Sequence, residues 1–266
     1  MLLSLCGVPG SGKTLNATRM ALKHYRKENS KIKYYFSYLI SKIPNNKLKV
    51  DFEYYKRFPY CKINNVYSNY PILLDKKRNI YSNKVDFWDL NNKNSFLPNA
   101  FIVIDEVQLS ADSDEYKDKV TNKKLSKIAK FLQAHRHFGV NTIIFTSQNP
   151  SRIFKKGRNI CESYLKQCKV LNIPFTPFTI IKGIGYYDLD YYGKYIPKSR
   201  EERKKLPFEY YKRFAIFNRN RVFKAYDSRY LSEYNYNMPL LEKGTYDNSK
   251  VDYEQLKILF ENELES

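Results

Sequence analysis

Gly7-Val8-Pro9-Gly10-Ser11-Gly12-Lys13-Thr14 spells G-x-x-x-x-G-K-[ST], a spacing whose chemistry is phosphate binding. Gly7, Gly10 and Gly12 let the backbone curl so that successive N–H groups face one anion. Lys13 then reaches the β- and γ-phosphates of a nucleotide, the Thr14 hydroxyl holds Mg²⁺, and Leu15 closes the cradle. A second pair of reactive groups is Asp105-Glu106, directly after the apolar run Phe101–Ile104. Asp105 would orient the Mg²⁺ through its water shell, and Glu106 would polarise an attacking water as general base. Gln148, in the polar stretch Ser147-Gln148-Asn149-Pro150, would sense the γ-phosphate or position that water.

These groups work only if regular elements bring them together. Leu2, Leu3, Leu5 and Cys6 form a strand that stops at Gly7, and Leu15–Lys27 follows with few helix breakers and Ala17, Met20 and Ala21 on one side. The loop therefore lies between a strand and a helix, whose N-terminal partial charge adds to the phosphate site. Phe101–Ile104 reads as a strand buried on both faces, as in a parallel sheet, with its carboxylates at the C-terminal end where such sheets bind ligands. Lys117–Phe138 reads as a helix, with Leu125, Ile128, Ala129 and Leu132 on one stripe and Gly139 as its stop. Asn141–Thr146 is the next buried strand, and it delivers Gln148.

The rest of the chain is less patterned. Ile32–Ile40 is aromatic and β-branched and is predicted to be a second strand. Residues 41–99 read as a loop-rich insertion, with short apolar pieces at Tyr70–Leu74 and Val85–Leu90. Tyr164–Leu171 and Phe178–Leu189 are predicted strands, Ser199–Leu206 a charged helical turn, Arg221–Tyr226 an edge strand, and Val251–Leu264 an acidic helix. The heptad Phe52–Phe58 recurs at Phe208–Phe214, but with unlike flanks it reads as compositional coincidence. The fold class is α/β, a P-loop NTPase with a mostly parallel central sheet flanked by helices. The core is expected over 1–190 and a C-terminal extension over 191–266.

The formal charge is +20, although residues 242–266 carry three lysines against seven acids. A basic body with an acidic tail calls for a polyanionic partner, such as nucleic acid or an anionic membrane surface. The four cysteines form no C-x-x-C pair and read as reduced thiols of a cytosolic protein. No apolar run is long enough for a membrane-spanning helix. His135 and His137, flanking Arg136 at a helix end, complement its dipole; with His24 elsewhere they make no zinc set.

Three segments in order then resemble a known family: Gly7–Thr14, Phe101–Gln108 (FIVIDEVQ) and Gln133–Ile153 (QAHRHFGVNTIIFTSQNPSRI), followed by Arg158 and Glu162. They are similar to the Zot (zonula occludens toxin) family, which includes filamentous-phage assembly ATPases. The resemblance covers roughly residues 1–170 and is patchy within 40–100. It implies an ATP- and Mg²⁺-dependent motor that assembles and exports phage single-stranded DNA at the inner membrane, as a homo-oligomer, a hexameric ring. Such proteins usually carry a membrane span after the ATPase domain, so this chain is expected in the cytoplasm, peripheral to the membrane or held there by assembly partners. Arg136, Arg152 and Arg158 are each candidates for an arginine finger on a neighbour's γ-phosphate, and the resemblance raises Arg136 above the others. A DNA-packaging or plasmid-transfer ATPase, a small-molecule kinase, or a non-hydrolytic nucleotide-gated nucleic-acid binder uses the same loop. Glu106 directly after Asp105 favours water as the acceptor over a metabolite.

Overall fold

The apolar runs at Leu2–Cys6 and Ala100–Ile104 are buried at every position, as strands covered on both faces must be. The computed structural model describes residues 1–42, 62–91, 96–110, 119–187, 189–192 and 210–226. Its strands are β1 (Leu2–Cys6), β2 (Val66–Ser68), β3 (Leu73–Asp75), β4 (Ile80–Tyr81), β5 (Asn83–Lys84) and β6 (Ala100–Ile104). They continue with β7 (Val140–Ser147), β8 (Ser163–Asn172), β9 (Phe178–Tyr186) and β10 (Tyr210–Asn218). The helices are α1 (Lys13–Glu28), α2 (Lys31–Ser41), α3 (Lys119–Ala134), α4 (Lys155–Arg158) and α5 (Arg219–Phe223).

One eight-stranded sheet runs in the order β10-β9-β8-β1-β7-β6-β2-β5. From β8 to β5 every neighbouring pair is parallel, while β9 and β10 return antiparallel. The architecture is α/β, with a mostly parallel mixed sheet flanked by helices. Successive residues on a strand point to opposite faces, so each run feeds two cores. Leu3, Leu5, Phe101 and Val103 pack with Leu15, Ala17, Ala21 and Leu22 of α1. Leu2, Ile102, Ile104 and Phe145 pack with Leu125, Ile128, Phe131 and Leu132 of α3 on the other side. Burying each leucine, isoleucine, valine or phenylalanine among them is worth about 1.5–3 kcal/mol relative to exposure, which is why the sheet between α1 and α3 is fixed in register.

Two sequence expectations are corrected. Ile32–Ile40 is not a strand but lies within α2, whose first turn is capped by Ser30 Oγ accepting from Lys33 N at 3.3 Å. Apolar residues at nearly every position hide the helical period there, and the Ser30 cap decides it. Arg221–Tyr226 is not an edge strand either. The edge strand is β10, and α5 follows it with Asn218 Oδ1 accepting from Arg221 N at 3.4 Å. β10 pairs with β9 along its whole length, so the central sheet continues past residue 190. Of the predicted insertion, β2 and β5 form the far parallel edge, while residues 43–61 and 92–95 lie outside the described residues. Ser199–Leu206, Val251–Leu264 and the first copy of the repeated heptad also lie outside them. Cys6 and Cys161 are buried and free.

Candidate nucleotide site

Gly12 is where the loop becomes α1, at φ 85°. A Cβ there would lie 2.4 Å from Val170 Cγ2 of β8, so both the left-handed backbone and the packing require glycine. Gly10 also has positive φ, at 74°. Gly7 N donates to Ser147 O at 3.3 Å and Ser11 N to Val8 O at 3.2 Å, which fixes the loop against the end of β7. Ser11 Oγ is buried without a hydrogen-bond partner. Lys13 is 5 % exposed, and its Nζ lies 3.0 Å from Gly7 O, 3.4 Å from Val8 O and 3.7 Å from Glu106 Oε1. The cation thus sits between the loop carbonyls and a carboxylate, at the mouth of the cradle.

Asp105 and Glu106 follow β6, which neighbours β7, which in turn neighbours β1. Parallel strands in that order put the ends of all three on one side of the sheet. Thr14 Oγ1 donates to both Asp105 oxygens, at 2.9 and 3.1 Å. Thr146 Oγ1, inside β7, donates to Asp105 Oδ1 and accepts from Glu106 N at 2.8 Å. Asn69 clamps the Asp105 backbone from β2's end: Asp105 N donates to Asn69 Oδ1 at 2.8 Å, and Asn69 Nδ2 to Asp105 O at 2.9 Å. Burial pushes the Asp105 carboxyl up to about 6, and Glu106 adds to the rise, while bonds from Thr146 and Thr14 and the Lys13 charge oppose it. A hydroxyl and a carboxylate side by side are hard oxygen donors that suit Mg²⁺, which keeps most of its waters. Among the described residues no cluster of three or more His, Cys, Asp or Glu could hold a metal by itself.

Glu106 stands in the left-handed region, φ 48° and ψ 51°. A non-glycine residue there is uncommon, and the turn aims its carboxylate back toward Lys13. Gln108 Nε2 donates to Glu106 Oε2. The resulting cavity is about 600 Å³ and brings together Pro9, Gly10, Gly12, Lys13, Thr14, Leu15, Asp105, Glu106 and Gln148. Gln148 is exposed at its rim.

The sequence had not singled out Thr146, Asn69, Phe223 or Tyr226. Phe223 and Tyr226 join Val170 and Leu109 as apolar walls of the same cavity. Thr146 had a signal, a hydroxyl inside an otherwise apolar strand. Phe223 and Tyr226 had none, because only the β8-β9-β10 return brings them beside the loop.

Arg136 does not join these residues. It is exposed and its Nη2 donates to Glu162 Oε1 at 2.9 Å, the same oxygen that accepts from Leu2 N at 3.3 Å. A helix crossing between parallel strands returns the chain to the start of the next strand, so Arg136 lies at the opposite end of β7 from Ser147. Eight strand residues put it about 25 Å from the phosphate end. Arg152 closes the short 3₁₀ turn Pro150–Arg152 just past Gln148, and is exposed at the phosphate end. Arg158 Nη1 donates to Ser151 O at 2.6 Å. His135 is buried, with Nδ1 2.7 Å from Leu132 O, closing the helix end.

A family model for zonular occludens toxin (Zot) matches residues 1–176. Among solved structures the chain is similar to the N-terminal domain of zonular occludens toxin from Neisseria meningitidis. The identity is 13% over 85% of this chain and 98% of that one, with a TM-score of 0.42. It is also similar to the genome packaging NTPase B204 from Sulfolobus turreted icosahedral virus 2 in complex with ATP-gammaS. There the identity is 15% over 65% of this chain and 76% of that one, with a TM-score of 0.30. No curated protein matches the sequence.

Proposed function

Because this chain belongs to the Zot family, we propose that it is an ATP-hydrolysing motor acting on phage single-stranded DNA during virion assembly and export. The observation that carries the hydrolytic part is the single cavity holding Lys13, Thr14, Asp105, Glu106 and Gln148. The loop N–H groups and Lys13 bind and orient the phosphates. Thr14 and Asp105 would hold Mg²⁺, which would supply positive charge to screen the phosphate oxygens. Glu106, kept beside Lys13 by its left-handed turn and by Gln108, takes the proton of the attacking water. Gln148 at the rim fixes that water against the γ-phosphate, and Phe223 and Tyr226 exclude bulk solvent. The DNA part rests on the charge of +20 and on the family. Among the described residues no helix is long and apolar enough to cross a membrane.

The motor is a head-to-tail homo-oligomer, a hexameric ring, in which a neighbour supplies an arginine that is absent among the described residues lining this cavity. Arg152, exposed just past the end of β7, is taken as that finger, and Arg136, raised by the resemblance, is the second candidate. Arg152→Ala is expected to bind ATP but to hydrolyse it about 10³-fold more slowly, as removal of a finger does. Mixed with Lys13→Ala it should regain measurable turnover, since one wild-type interface forms between an intact loop and an intact arginine. A silent mixture, with wild type sedimenting as a monomer in the presence of ATP and DNA, would rule out the shared site.

A further inference from the structure

A second cleft, about 470 Å³, opens between α1, the β3–β4 hairpin and α5. Arg26, Lys62, Lys76, Lys77, Arg221 and Lys224 line it, against one carboxylate, Asp75. That carboxylate is already neutralised, because Lys62 Nζ is hydrogen-bonded to it. Among the described residues of the lining, five cations therefore face an opening with no further acid to pair with them. Arg26 and Arg221 are close enough to repel. Partial burial first, and then the Arg221 charge, draw the Arg26 guanidinium below its ordinary range. Like charges held together over an apolar floor, here Leu22, Tyr25 and Ala225, are stabilised by an anion between them and by little else. The neighbouring hairpin is tied into place, with Leu73 N donating to Ala225 O at 2.7 Å, so the two walls keep a fixed spacing.

The wall between this cleft and the nucleotide cavity is one short segment. Arg221, Lys224 and Ala225 face the cleft, whereas Phe223 and Tyr226 face the nucleotide cavity. Tyr226 also meets Tyr70 edge-on at 6.1 Å between ring centroids, and Tyr70 OH pairs with Thr18 Oγ1 of α1 at 2.9 Å. Ligands in the two cavities would therefore contact alternate residues of the same short segment.

We propose that this cleft is the seat of the nucleic-acid phosphodiester backbone, with α5 and the turn after it as the wall shared with the nucleotide. The inference rests on the reading of the chain as a DNA motor and adds where the strand sits. Backbone contacts of this kind are electrostatic and sequence-independent, and each phosphate neutralised contributes about 0.7 to the salt slope for single strands.

The test is fluorescence anisotropy of the full chain with a labelled oligo-dT of roughly 20 nucleotides, between about 50 and about 200 mM salt. The triple variant Arg26→Ala, Arg221→Ala, Lys224→Ala is expected to bind at least about tenfold more weakly and to lose about 2 from the salt slope. A matched triple, Lys123→Ala, Lys124→Ala, Lys127→Ala, removes the same charge from exposed positions of α3, across the sheet. It should change affinity by less than about threefold, as a long-range term does at these salts. Lys76→Glu with Lys77→Glu, in the exposed turn of the hairpin, approaches the cleft from its other wall and should reproduce the loss without touching α5. If the wild type binds and all three variants weaken it equally, the cleft is not the site. If the wild type does not bind the strand at any salt, the DNA reading itself is wrong and the inference goes with it.

Discussion

Lys13→Ala should abolish nucleotide turnover. Lys13 is the one cationic side chain among the described residues lining the nucleotide cavity, and it is held there almost fully buried, 3.0 Å from Gly7 O. No other side chain of that described lining carries a positive charge to meet the negative one that develops on the transferred phosphoryl group. Removing a single preorganised donor of that kind costs about 10²–10³ in rate, and removing a full charge should cost at least as much. Phosphate release measured on the purified variant checks this. Wild-type turnover in Lys13→Ala would mean that hydrolysis occurs elsewhere on the chain.

Glu106→Gln should separate binding from chemistry. The substitution keeps the size of the side chain and its capacity to accept a hydrogen bond, but an amide cannot take a proton from water. ATP should still bind, because Lys13, Thr14 and the loop are untouched, while hydrolysis falls by about 10²-fold or more. The backbone at Glu106 already holds a left-handed turn that glutamine tolerates as well as glutamate does, so the effect reads the carboxylate and not the fold. Equal binding by filter retention with unchanged single-turnover rates would remove Glu106 from the reaction and leave Asp105 as the sole working carboxylate.

How far the sequence reached depended on whether a residue's neighbours in space were its neighbours in the chain. The loop, β1, β6 and β7 were legible because each is a short apolar run ending in a polar or glycine-rich turn, a local pattern. In the fold the order β1-β7-β6 carries Lys13, Asp105, Glu106 and Gln148 to one cavity. The segment at α2 misled because Ile32, Tyr34, Tyr35, Phe36, Leu39 and Ile40 leave no alternation to separate period 2 from period 3.6. Their exposed members, Ile32 and Phe36 among them, satisfy neither pattern's expectation of an apolar face turned inward. Arg136, read from its motif as a finger for a neighbour's site, lies at the end of the sheet away from its own phosphate loop. A helix between parallel strands ends where the next strand begins, which is the edge away from the ligand. Phe223 and Tyr226 could not be read at all. Their place beside Val170 and the loop depends on β9 and β10 folding back over β8, a long-range pairing with no local signature.

The central claim is that the cavity hydrolyses ATP in the service of moving a single strand. The measurement closest to it is steady-state ATP turnover by the wild-type chain with and without single-stranded DNA. The account predicts slow turnover alone and a clear rise on adding the strand, lost in Lys13→Ala. Binding of ATP with no turnover under either condition would contradict it and leave a nucleotide-gated switch. Phosphoryl transfer to an added small acceptor, indifferent to DNA, would contradict it in favour of a kinase.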